Sequence, residues 1–364
     1  MPRPEFLKPL LLAISAAWLA GAASAQQANP VKACFIFVGP TADGGWSYQH
    51  LRGAEDMKIG LGSRVELEWK ENVAEGDEAE VVMGQMAEDG CDIIFATSFG
   101  YMDAINAVAA RYPDVKFEHA TGYRRDHPNV STYNARFYEG RAVEGLIAGR
   151  MTKTNKIGYI ASFPIPEVIS GINSYFLSAR RANPDVELQI EWAFTWFDPE
   201  KETAAAQKLI ADGVDVIASH TDSTAVLAEA AKTGGDVIGF GQASDMLDYA
   251  PSPRVSSIID NWGPYYFRRV GELFNGTYQQ EDAFEGISSG VVLLGGITDA
   301  VPAEVRAEAK AMRRALAEGR MNAFTGPINA QDGSPWLAEG VEASDAEVLG
   351  MNFYVEGIVG DIPK

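Results

Sequence analysis

The sequence predicts an α/β protein made of two similar lobes, each built around a parallel β-sheet. The first observation is an internal repeat. Residues 86–122 and 209–243 share one order of a helix end, Asp-Gly-x-Asp, an apolar strand, a polar loop, an Ala-rich helix and a second strand. The second is the alternation of strands and helices along the chain, which favours parallel strands with right-handed crossovers. Because such sheets bind ligands at the carboxyl ends of their strands, the repeat indicates a cleft between two lobes.

The start of the chain has the pattern of a cleavable secretory signal peptide. Arg3 and Lys8 precede the apolar stretch Leu10–Ala20, and Ala23-Ser24-Ala25 gives a cleavage site of small residues. Cleavage after Ala25 leaves no Cys beside the new terminus, so no lipid anchor is expected. We therefore predict a protein that is exported to the periplasm and is not lipidated.

The chain as a whole has the composition of a soluble globular protein. Of its 364 residues, 46% are hydrophobic and 22% are charged, and this length suits two domains of ordinary size. The formal net charge of −20 repels phosphate backbones and anionic lipids. Nucleic acids and membrane surfaces are therefore disfavoured as partners.

The first lobe begins with the apolar run Val31–Val38, which predicts a strand covered on both faces. Cys34 and Cys91 lie on neighbouring strands of this lobe, and both a disulfide and two buried thiols are compatible with the pattern. Further strands are predicted at Val65–Trp69, Asp92–Thr97, Val115–His119 and Val130–Asn134, with helices that end near Leu61 and that span Glu75–Glu88, Tyr101–Arg111 and Phe137–Met151.

The strand pattern restarts at Lys156–Ile160 and builds the second lobe. Asp198-Pro199 predicts a helix start, with Asp as the N-cap and Pro at the first helical position. Strands are also predicted at Glu187–Trp192, Val214–Ser219, Asp236–Phe240 and Val255–Ile259, with a strand or hairpin at Gly286–Leu294. The other helices are predicted up to Arg181, at Thr224–Lys232, from Pro264 to Phe274, at Pro302–Ala317 and near Asp345–Leu349.

The two lobes need not be contiguous in the chain. After a signal peptide of residues 1–25, we predict an N-terminal lobe of residues 26–155 that is completed by about 260–290. The C-terminal lobe is predicted to take residues 156–259 with about 291–325, and residues 326–364 to form a tail that packs back on the lobes. These exchanges produce three crossings between the lobes, which together would form a stiff hinge.

Motifs that carry catalysis or hold cofactors are missing from the sequence. It contains no G-x-S-x-G, P-loop or H-E-x-x-H pattern and no paired-Cys zinc spacing, and its four histidines lie in four different segments. We therefore predict a binding protein and not an enzyme, with no cofactor and no metal. A carboxylate pair leaves no local signature, so a hydrolase that uses Glu167 or Asp222 as its base stays an alternative.

The loops after the predicted strands combine aromatic side chains with carboxylates and amides. In a shared cleft, a flat ring can stack between aromatic faces, and Asp or Asn can bind the donors on its edge. Few basic residues occur in these loops, which disfavours phosphorylated or carboxylate ligands. Each residue also has a structural alternative, such as fixing a helix for Trp46 or capping one for Asp222. The candidate ligand-binding residues are Asp43, Trp46, Ser47, Phe99, Tyr101, Phe163, Glu167, Trp196, Asp222, Asp245, Asn261 and Trp262.

Ten segments along the chain form a specific set when taken together, although none is specific alone. They are DGGWSYQH (43–50), ENVAEGDEAE (71–80), IFATSFGYMDA (94–104), FEHATGY (117–123), YNARFYEGR (133–141), FPIPEVI (163–169), WFDPEKE (196–202), HTDS (220–223), NWGPYY (261–266) and FTGPI (324–328). From about Val31 to Asp361 the chain resembles the basic membrane protein family of ABC-transporter substrate-binding proteins. Within that family it resembles the PnrA-like group, which binds purines and nucleosides.

The resemblance implies a type I periplasmic-binding-protein fold, with two Rossmann-like lobes and three crossover segments. An Asp and an aromatic residue after the first strand contact the ligand in the nucleoside branch, and these match Asp43 and Trp46 here. Asp222 and Asp245 fall where the family places polar contacts. Two positions depart from that branch: Trp46-Ser47 replaces Phe-Asn, and Asn261-Trp262 stands where a Lys is usual. Both departures leave more room for stacking on a bare base.

These implications predict the monomeric periplasmic component of an ABC importer. It would bind a purine base or nucleoside between its lobes and deliver it to a permease in the inner membrane. One alternative is a sugar- or riboflavin-type binding protein of the same fold, since sugar sites also mix aromatic residues with carboxylates. A less favoured alternative is a nucleoside hydrolase.

Overall fold

The computed structural model describes residues 29–364 and confirms two lobes, each with a six-stranded sheet. The predicted signal peptide lies outside these residues. Within residues 29–364, no helix is long and apolar enough to cross a membrane.

The first part of the chain alternates strands and helices in the predicted order. The first strand is almost wholly buried, as its apolar run requires: of its side chains only Lys32 is partly exposed. The strands are β1 (Val31–Ile36), β2 (Val65–Lys70), β3 (Ile93–Ala96), β4 (Lys116–Ala120) and β5 (Val130–Ala135). The helices are α1 (Trp46–Leu61), α2 (Asp77–Glu88), α3 (Met102–Arg111) and α4 (Phe137–Met151).

The second part of the chain repeats this alternation and ends in a shorter, less regular segment. The elements are β6 (Lys156–Ala161), α5 (Pro166–Ala182), β7 (Glu187–Trp192), α6 (Pro199–Ala211), β8 (Val216–Ser219), α7 (Ala225–Ala231), β9 (Ile238–Gly241), β10 (Arg254–Asp260), α8 (Gly263–Phe274), β11 (Asp282–Glu285), β12 (Val292–Leu294), α9 (Ala303–Ala317), β13 (Ile328–Asn329), β14 (Pro335–Leu337) and α10 (Asp345–Leu349). The predicted start of α6 is confirmed, because Asp198 accepts hydrogen bonds from the backbone N–H groups of Glu200 and Lys201.

The two sheets have the same strand arrangement. The first runs β11-β5-β4-β3-β1-β2 and the second β12-β10-β9-β8-β6-β7. The repeated units of the sequence become β3-α3-β4 in one lobe and β8-α7-β9 in the other, at equivalent places in the two sheets. All strand pairs within the sheets are parallel except β10 with β12. The repeat therefore predicted the architecture correctly.

The chain passes between the lobes three times, after β5, after β10 and between β11 and β12. The prediction of a hairpin over Gly286–Leu294 is wrong. Strand β11 ends just before this segment and β12 lies at its end, and the two strands belong to different sheets. The residues between them form a crossing, and the strand in this segment is confined to Val292–Leu294.

Helix α4 belongs to the second lobe, although the division at residue 155 assigned it to the first. It packs against α5 and α9, whereas α8 packs against α1 of the first lobe. Gly145 allows the backbones of α4 and α5 to approach closely, because a Cβ atom there would lie 2.1 Å from the carbonyl oxygen of Tyr175. The first crossing therefore precedes α4.

A disulfide joins Cys34 of β1 to Cys91, which lies two residues before the start of β3. The sequence left this pairing open. The sulfur atoms lie in the buried core of the first lobe, beside the side chains of Met86 and Ile94.

The C-terminal segment packs on helix α5 of the second lobe. The Asn173 side chain donates to the carbonyl oxygen of Phe353 at 2.8 Å and accepts from the backbone N–H of Val355 at 3.1 Å. Arg180 donates to the carbonyl oxygen of Glu356 at 2.9 Å. These bonds attach the end of the chain along one side of the helix.

Candidate ligand-binding cleft

A pocket lies between the lobes at the carboxyl ends of the central strands. It encloses about 350 Å³ of unoccupied space, including its mouth. Each lobe provides half of the lining, which consists of Val38, Trp46, Ser98, Phe99, Thr121, Glu167, Trp196, His220, Asp222 and Gln242. This is the position that the sequence predicted for a cleft.

Five of the twelve candidate residues line this pocket: Trp46, Phe99, Glu167, Trp196 and Asp222. The lining residues outside the candidate set are Val38, Ser98, Thr121, His220 and Gln242. His220 and Gln242 directly follow β8 and β9, so the rule that strand ends face the cleft could have found them. Thr121 follows β4 and has a left-handed backbone with φ of 59°, which is uncommon for a β-branched residue and gives no sequence signal.

The aromatic wall of the first lobe is held rigidly in place. Trp46 donates its indole N–H to the carbonyl oxygen of Thr97 at 2.7 Å. Its ring packs edge-on against Phe137 and Trp262, with centroids 6.1 and 5.7 Å away. The ring is therefore oriented before any ligand arrives, which lowers the entropic cost of stacking.

Asp222 places a carboxyl group in the pocket that accepts no hydrogen bond from the described residues. Only 5% of the residue is exposed. Its loop is held by Glu202 of α6, whose Oε2 accepts from the hydroxyl groups of Thr221 at 2.9 Å and Ser223 at 2.7 Å. Burial raises the pKa of Asp222 well above its ordinary value, and the nearby Asp43 carboxylate adds to the effect. An unpartnered, buried acceptor of this kind favours a ligand that brings donors.

Gln242 also lines the pocket. Its Oε1 accepts a hydrogen bond from the buried guanidinium of Arg141, which also donates to the carbonyl oxygen of Ser219 at 2.6 Å. Glu144 accepts from the same guanidinium at 2.7 Å and balances its charge. Since the amide oxygen is occupied, the nitrogen of Gln242 remains as a donor for a ligand.

Glu167 and His220 form a hydrogen-bonded pair at the pocket wall. His220 Nε2 lies 3.1 Å from Oε1 of Glu167, and His220 Nδ1 lies 3.2 Å from the hydroxyl oxygen of Tyr159. Burial lowers the pKa of His220, although the Glu167 carboxylate opposes this shift. A neutral His220 donates through Nε2 and accepts through Nδ1. The second oxygen of Glu167 is buried and has no partner among the described residues.

The two lobes also touch each other directly, at Gly44 and Gly45 of the first lobe. Ser244 of the second lobe donates its hydroxyl to the carbonyl oxygen of Gly44 in the first. Beside it, a Cβ atom on Gly45 would lie 2.3 Å from the carbonyl oxygen of Asp222. The lobes can meet this closely only because residue 45 is glycine.

Seven candidate residues lie outside the pocket lining, and three of them belong to the first lobe. Asp43 is engaged by the start of α1: its carboxylate accepts from the backbone N–H groups of Gly45, Ser47 and Tyr48 at 2.8 to 3.0 Å. The hydroxyl of Ser47 is buried and accepts from a backbone N–H. Tyr101 is fully buried and donates to a backbone carbonyl at 2.6 Å. These side chains stabilise the loop and core instead of facing the cleft.

The other four lie around the crossings or in neighbouring crevices. Trp262 is 1% exposed and stacks on His50 with 4.9 Å between ring centroids. Asn261 donates to the carbonyl oxygen of Gly290, and Asp245 pairs with Arg254. Phe163 packs against Trp196 but faces an adjacent crevice. The sequence could place these side chains only near strand ends. In the structure, packing, a hydrogen bond or an ion pair with neighbouring residues holds each of them outside the pocket.

Within residues 29–364, no group of three or more His, Cys, Asp and Glu side chains is arranged to hold a metal ion.

Comparison with known protein families identifies the group to which this chain is related. Residues 30–321 match the family described as ABC transporter substrate-binding protein PnrA-like. The chain belongs to this family. The match includes both sheets and all the residues that line the pocket.

Individual relatives agree with this assignment. A purine-binding protein of Brucella abortus (strain 2308) is 46% identical, over 95% of this chain and 97% of that protein. A Haloferax volcanii protein named "Putative ABC transporter glucose-binding protein TsgA13" is 34% identical, over 93% of this chain and 83% of its own length. The solved structure of an ABC transporter solute-binding protein from Aeropyrum pernix K1 superposes with a TM-score of 0.69 at 20% identity, covering 82% of this chain and 94% of that one.

Proposed function

We propose that this protein binds a purine base or nucleoside between its lobes as the periplasmic component of an ABC importer. One observation carries the proposal: the aromatic side chains of Trp46, Phe99 and Trp196 line the same pocket as the unpartnered carboxyl of Asp222 and as Gln242, whose amide oxygen already accepts from Arg141. The name of the Brucella relative supports the choice of purine.

A purine ring matches this combination of groups. Its faces stack on aromatic side chains, each contact adding about 0.5–1.5 kcal/mol beyond area burial. Its edge carries exocyclic or ring N–H donors beside ring nitrogen acceptors. Asp222 would accept from the donors, and Gln242 would donate to an acceptor. The lining contains no Lys or Arg, so phosphorylated purines are expected to bind poorly.

As a member of this substrate-binding family, the protein would deliver its ligand to a permease. The proposal also includes export of the protein, a monomeric state and the absence of catalysis. Export would remove the leader, and N-terminal sequencing of the exported protein is expected to begin at Gln26. A monomer with neither cofactor nor metal would suffice for binding and release. A purine nucleoside is expected to be recovered unchanged after long incubation, since the proposal gives no role to Glu167 or Asp222 as a hydrolytic base.

Calorimetry on ligand-stripped protein tests the proposal. A panel of purine bases, purine nucleosides, pyrimidines, pentoses, glucose and riboflavin should yield a micromolar or tighter complex with at least one purine, roughly −8 kcal/mol or stronger. If a sugar or flavin binds and no purine does, the purine assignment is overturned while the family assignment stands.

Glucose is the second candidate ligand because one relative carries that name. Aromatic faces and carboxylates also suit a sugar, whose hydroxyl groups donate to carboxylates. Trp196 and Asp222 would then contact the sugar face and its hydroxyl groups. The same calorimetric panel separates the two ligands.

A further inference from the structure

The pocket residues Phe99 and Asp222 stand at equivalent positions of the repeated unit, each in a loop that follows a central strand. In both loops, the residues on either side of the pocket residue donate hydrogen bonds to a glutamate from another part of the same lobe. This glutamate is Glu75 in the first lobe and Glu202 in the second, and both lie outside the lining of the pocket. Each pocket residue is therefore flanked by two anchored neighbours.

In the first lobe, one carboxylate oxygen of Glu75 accepts from both neighbours of Phe99. The hydroxyl of Ser98 donates to Oε1 of Glu75 at 2.5 Å, and the backbone N–H of Gly100 donates to the same oxygen at 3.1 Å. A Cβ atom on residue 100 would lie 2.2 Å from Cδ of Glu75, so the carboxylate can approach this closely because the residue is glycine. Hydrogen bonds to a carboxylate are about twice as strong as those between neutral groups. Glu75 therefore fixes the backbone on both sides of Phe99.

The loop that carries Glu75 is itself attached to the core of the first lobe. Two residues earlier, the buried Val73 donates its backbone N–H to the carbonyl oxygen of Phe37 at 3.0 Å. The carbonyl oxygen of Val73 accepts from the hydroxyl of Tyr101 at 2.6 Å. Glu75 is exposed, but it projects from a loop whose position is set by buried groups. Its carboxylate can therefore hold the Phe99 loop against the core instead of moving with it.

The second lobe holds its pocket residue in the same way but from a different position. Oε2 of Glu202 accepts from the hydroxyl of the residue before Asp222 at 2.9 Å and from the backbone N–H of the residue after it at 3.2 Å. Glu202 lies in the first turn of α6. When the alignment of the repeat is extended without gaps towards the N-terminus, Glu75 falls opposite Asp198, which caps that helix. The two glutamates thus occupy different positions of the repeat and provide the same support.

We propose that Glu75 is a positioning residue for ligand binding and that it acts through the ring of Phe99. Ordering a side chain when the ligand arrives costs conformational entropy, so a ring that is already oriented binds more tightly. Trp46 is oriented by the hydrogen bond of its own indole N–H. Phe99 has no polar atom in its side chain, so the anchoring of its neighbours by Glu75 orients it instead. The inference rests on the proposed function, since it concerns a ring that would stack on the purine.

A double-mutant cycle between Glu75 and Phe99 tests this role. Calorimetry measures the affinity of adenine, guanine and hypoxanthine for the wild type, Glu75→Ala, Phe99→Ala and the double variant. Glu75→Gln keeps an acceptor at this position, and Glu66→Ala is the matched control, since it removes an exposed carboxylate from β2 of the same lobe. Glu75 is exposed, and His119 still bonds to the carbonyl oxygen of Ser98 at 2.8 Å. Glu75→Ala should therefore loosen the loop without unfolding the lobe.

Glu75→Ala should bind each purine that binds the wild type about fivefold more weakly, as expected for the partial loss of one aromatic contact. Glu75→Gln and Glu66→Ala should stay within about twofold of the wild type. When Phe99 is already alanine, Glu75→Ala should weaken binding by less than about twofold further.

The positioning role is overturned if Glu75→Ala binds like the wild type. It is also overturned if Glu75→Ala weakens binding equally with and without the Phe99 ring, since a general structural role would have that result. If no purine binds the wild type, the proposed function fails instead, and this role with it.

Discussion

The two lobes share one strand order but supply different chemistry to the pocket. The first lobe contributes apolar and hydroxyl-bearing side chains, and the second contributes every carboxylate and imidazole of the lining. The contrast is sharpest in the repeated unit, where Phe99 after β3 and Asp222 after β8 stand at equivalent positions. A duplicated scaffold can thus keep its core while its strand-end loops diverge: both lobes supply aromatic rings to the pocket, but only the second supplies carboxylates, an imidazole and an amide.

Neither lobe alone would bind a flat heterocycle strongly. Stacking without edge contacts discriminates poorly, and edge contacts left open to water gain little. The contact between Gly45 and the Asp222 backbone brings both contributions into one enclosed space. Affinity should therefore depend on each lobe separately and on their closure.

Removing the ring of Trp46 should have the largest effect on affinity. Trp46→Ala deletes the oriented face of the first lobe and should cost about 2–4 kcal/mol of purine binding. Trp69 lies on β2, is 41% exposed and is remote from the pocket, so Trp69→Ala is the control for loss of a tryptophan. Equal affinity of the two variants in calorimetry would show that the first lobe does not provide the stacking face.

The acceptor of the second lobe should come next. Asp222→Ala leaves the edge donors of the ligand buried without a partner and should cost about 1–3 kcal/mol. The exposed Asp248 is the control, since Asp248→Ala removes a carboxylate from the same lobe outside this pocket. The loss of affinity should be greatest for purines that carry adjacent N–H donors. An equal loss of affinity for every ligand of the panel would contradict a hydrogen bond from the purine edge to Asp222.

A methyl group at the closure contact should have a smaller effect. Gly45→Ala places a Cβ atom against the backbone of Asp222 and should weaken binding by about 1–2 kcal/mol by hindering closure. Small-angle scattering should show the wild type contracting on ligand addition and the variant contracting less. Gly271→Ala, on α8 where a Cβ meets no neighbour within 4 Å, should leave both measurements unchanged. If Gly45→Ala contracts fully and binds with normal affinity, the contact at residue 45 is not required for closure.

The smallest effect should be on stability and its dependence on pH. In the first lobe, the buried Glu118 accepts from Arg269, Tyr265 and Tyr278, whereas in the second both oxygens of the buried Asp260 lack partners among the described residues. Burial raises the pKa of Asp260 well above its ordinary value. The folded state therefore holds this proton more tightly than the unfolded state, and the free energy of unfolding falls as the pH rises above the ordinary carboxyl range.

Asp260→Asn removes this titration. Chemical denaturation at pH 5 and pH 8 should show a smaller loss of stability with rising pH in Asp260→Asn than in the wild type. Glu118→Gln leaves Arg269 without its charged partner and should destabilise the protein at both pH values. Identical pH dependence in the wild type and Asp260→Asn would mean that Asp260 is ionised or solvated when folded.

The fold could be predicted because it depends on the internal repeat and on the spacing of apolar residues, both of which can be read directly from the sequence. The repeat determined the paired strand arrangement, and apolar runs such as Val31–Ile36 marked the buried strands. The crossing between β11 and β12 was mistaken for a possible hairpin because short strands separated by glycines look alike in either topology. The assignment of α4 failed for a similar reason, since helical spacing does not show which sheet a helix covers.

The site was predictable only to the level of strand ends. Trp46 and Asp222 follow strands and face the pocket, but Trp262 also follows a strand and packs on His50 inside the core. From the sequence, Asp43 was as good a candidate for a ligand-binding carboxylate as Asp222. In the structure, however, the backbone N–H groups at the start of α1 donate to the Asp43 carboxylate, so it is not free to bind a ligand. Which way a side chain points depends on partners far away in the chain, and a single sequence does not name them.

The Cys34–Cys91 bond makes the first lobe, and not the second, sensitive to its redox environment. The chain has two cysteines, and they close a loop spanning 57 residues that includes α1, β2 and α2. Cross-links of this span typically contribute about 4 kcal/mol. A thiol reductant should therefore loosen the lobe that holds Trp46 while the hydrogen-bonding lobe keeps its fold. Protein made in a reducing cytoplasm would keep Trp196, Asp222 and Gln242 in a folded second lobe, while the half of the pocket that contains Trp46 would be less stable.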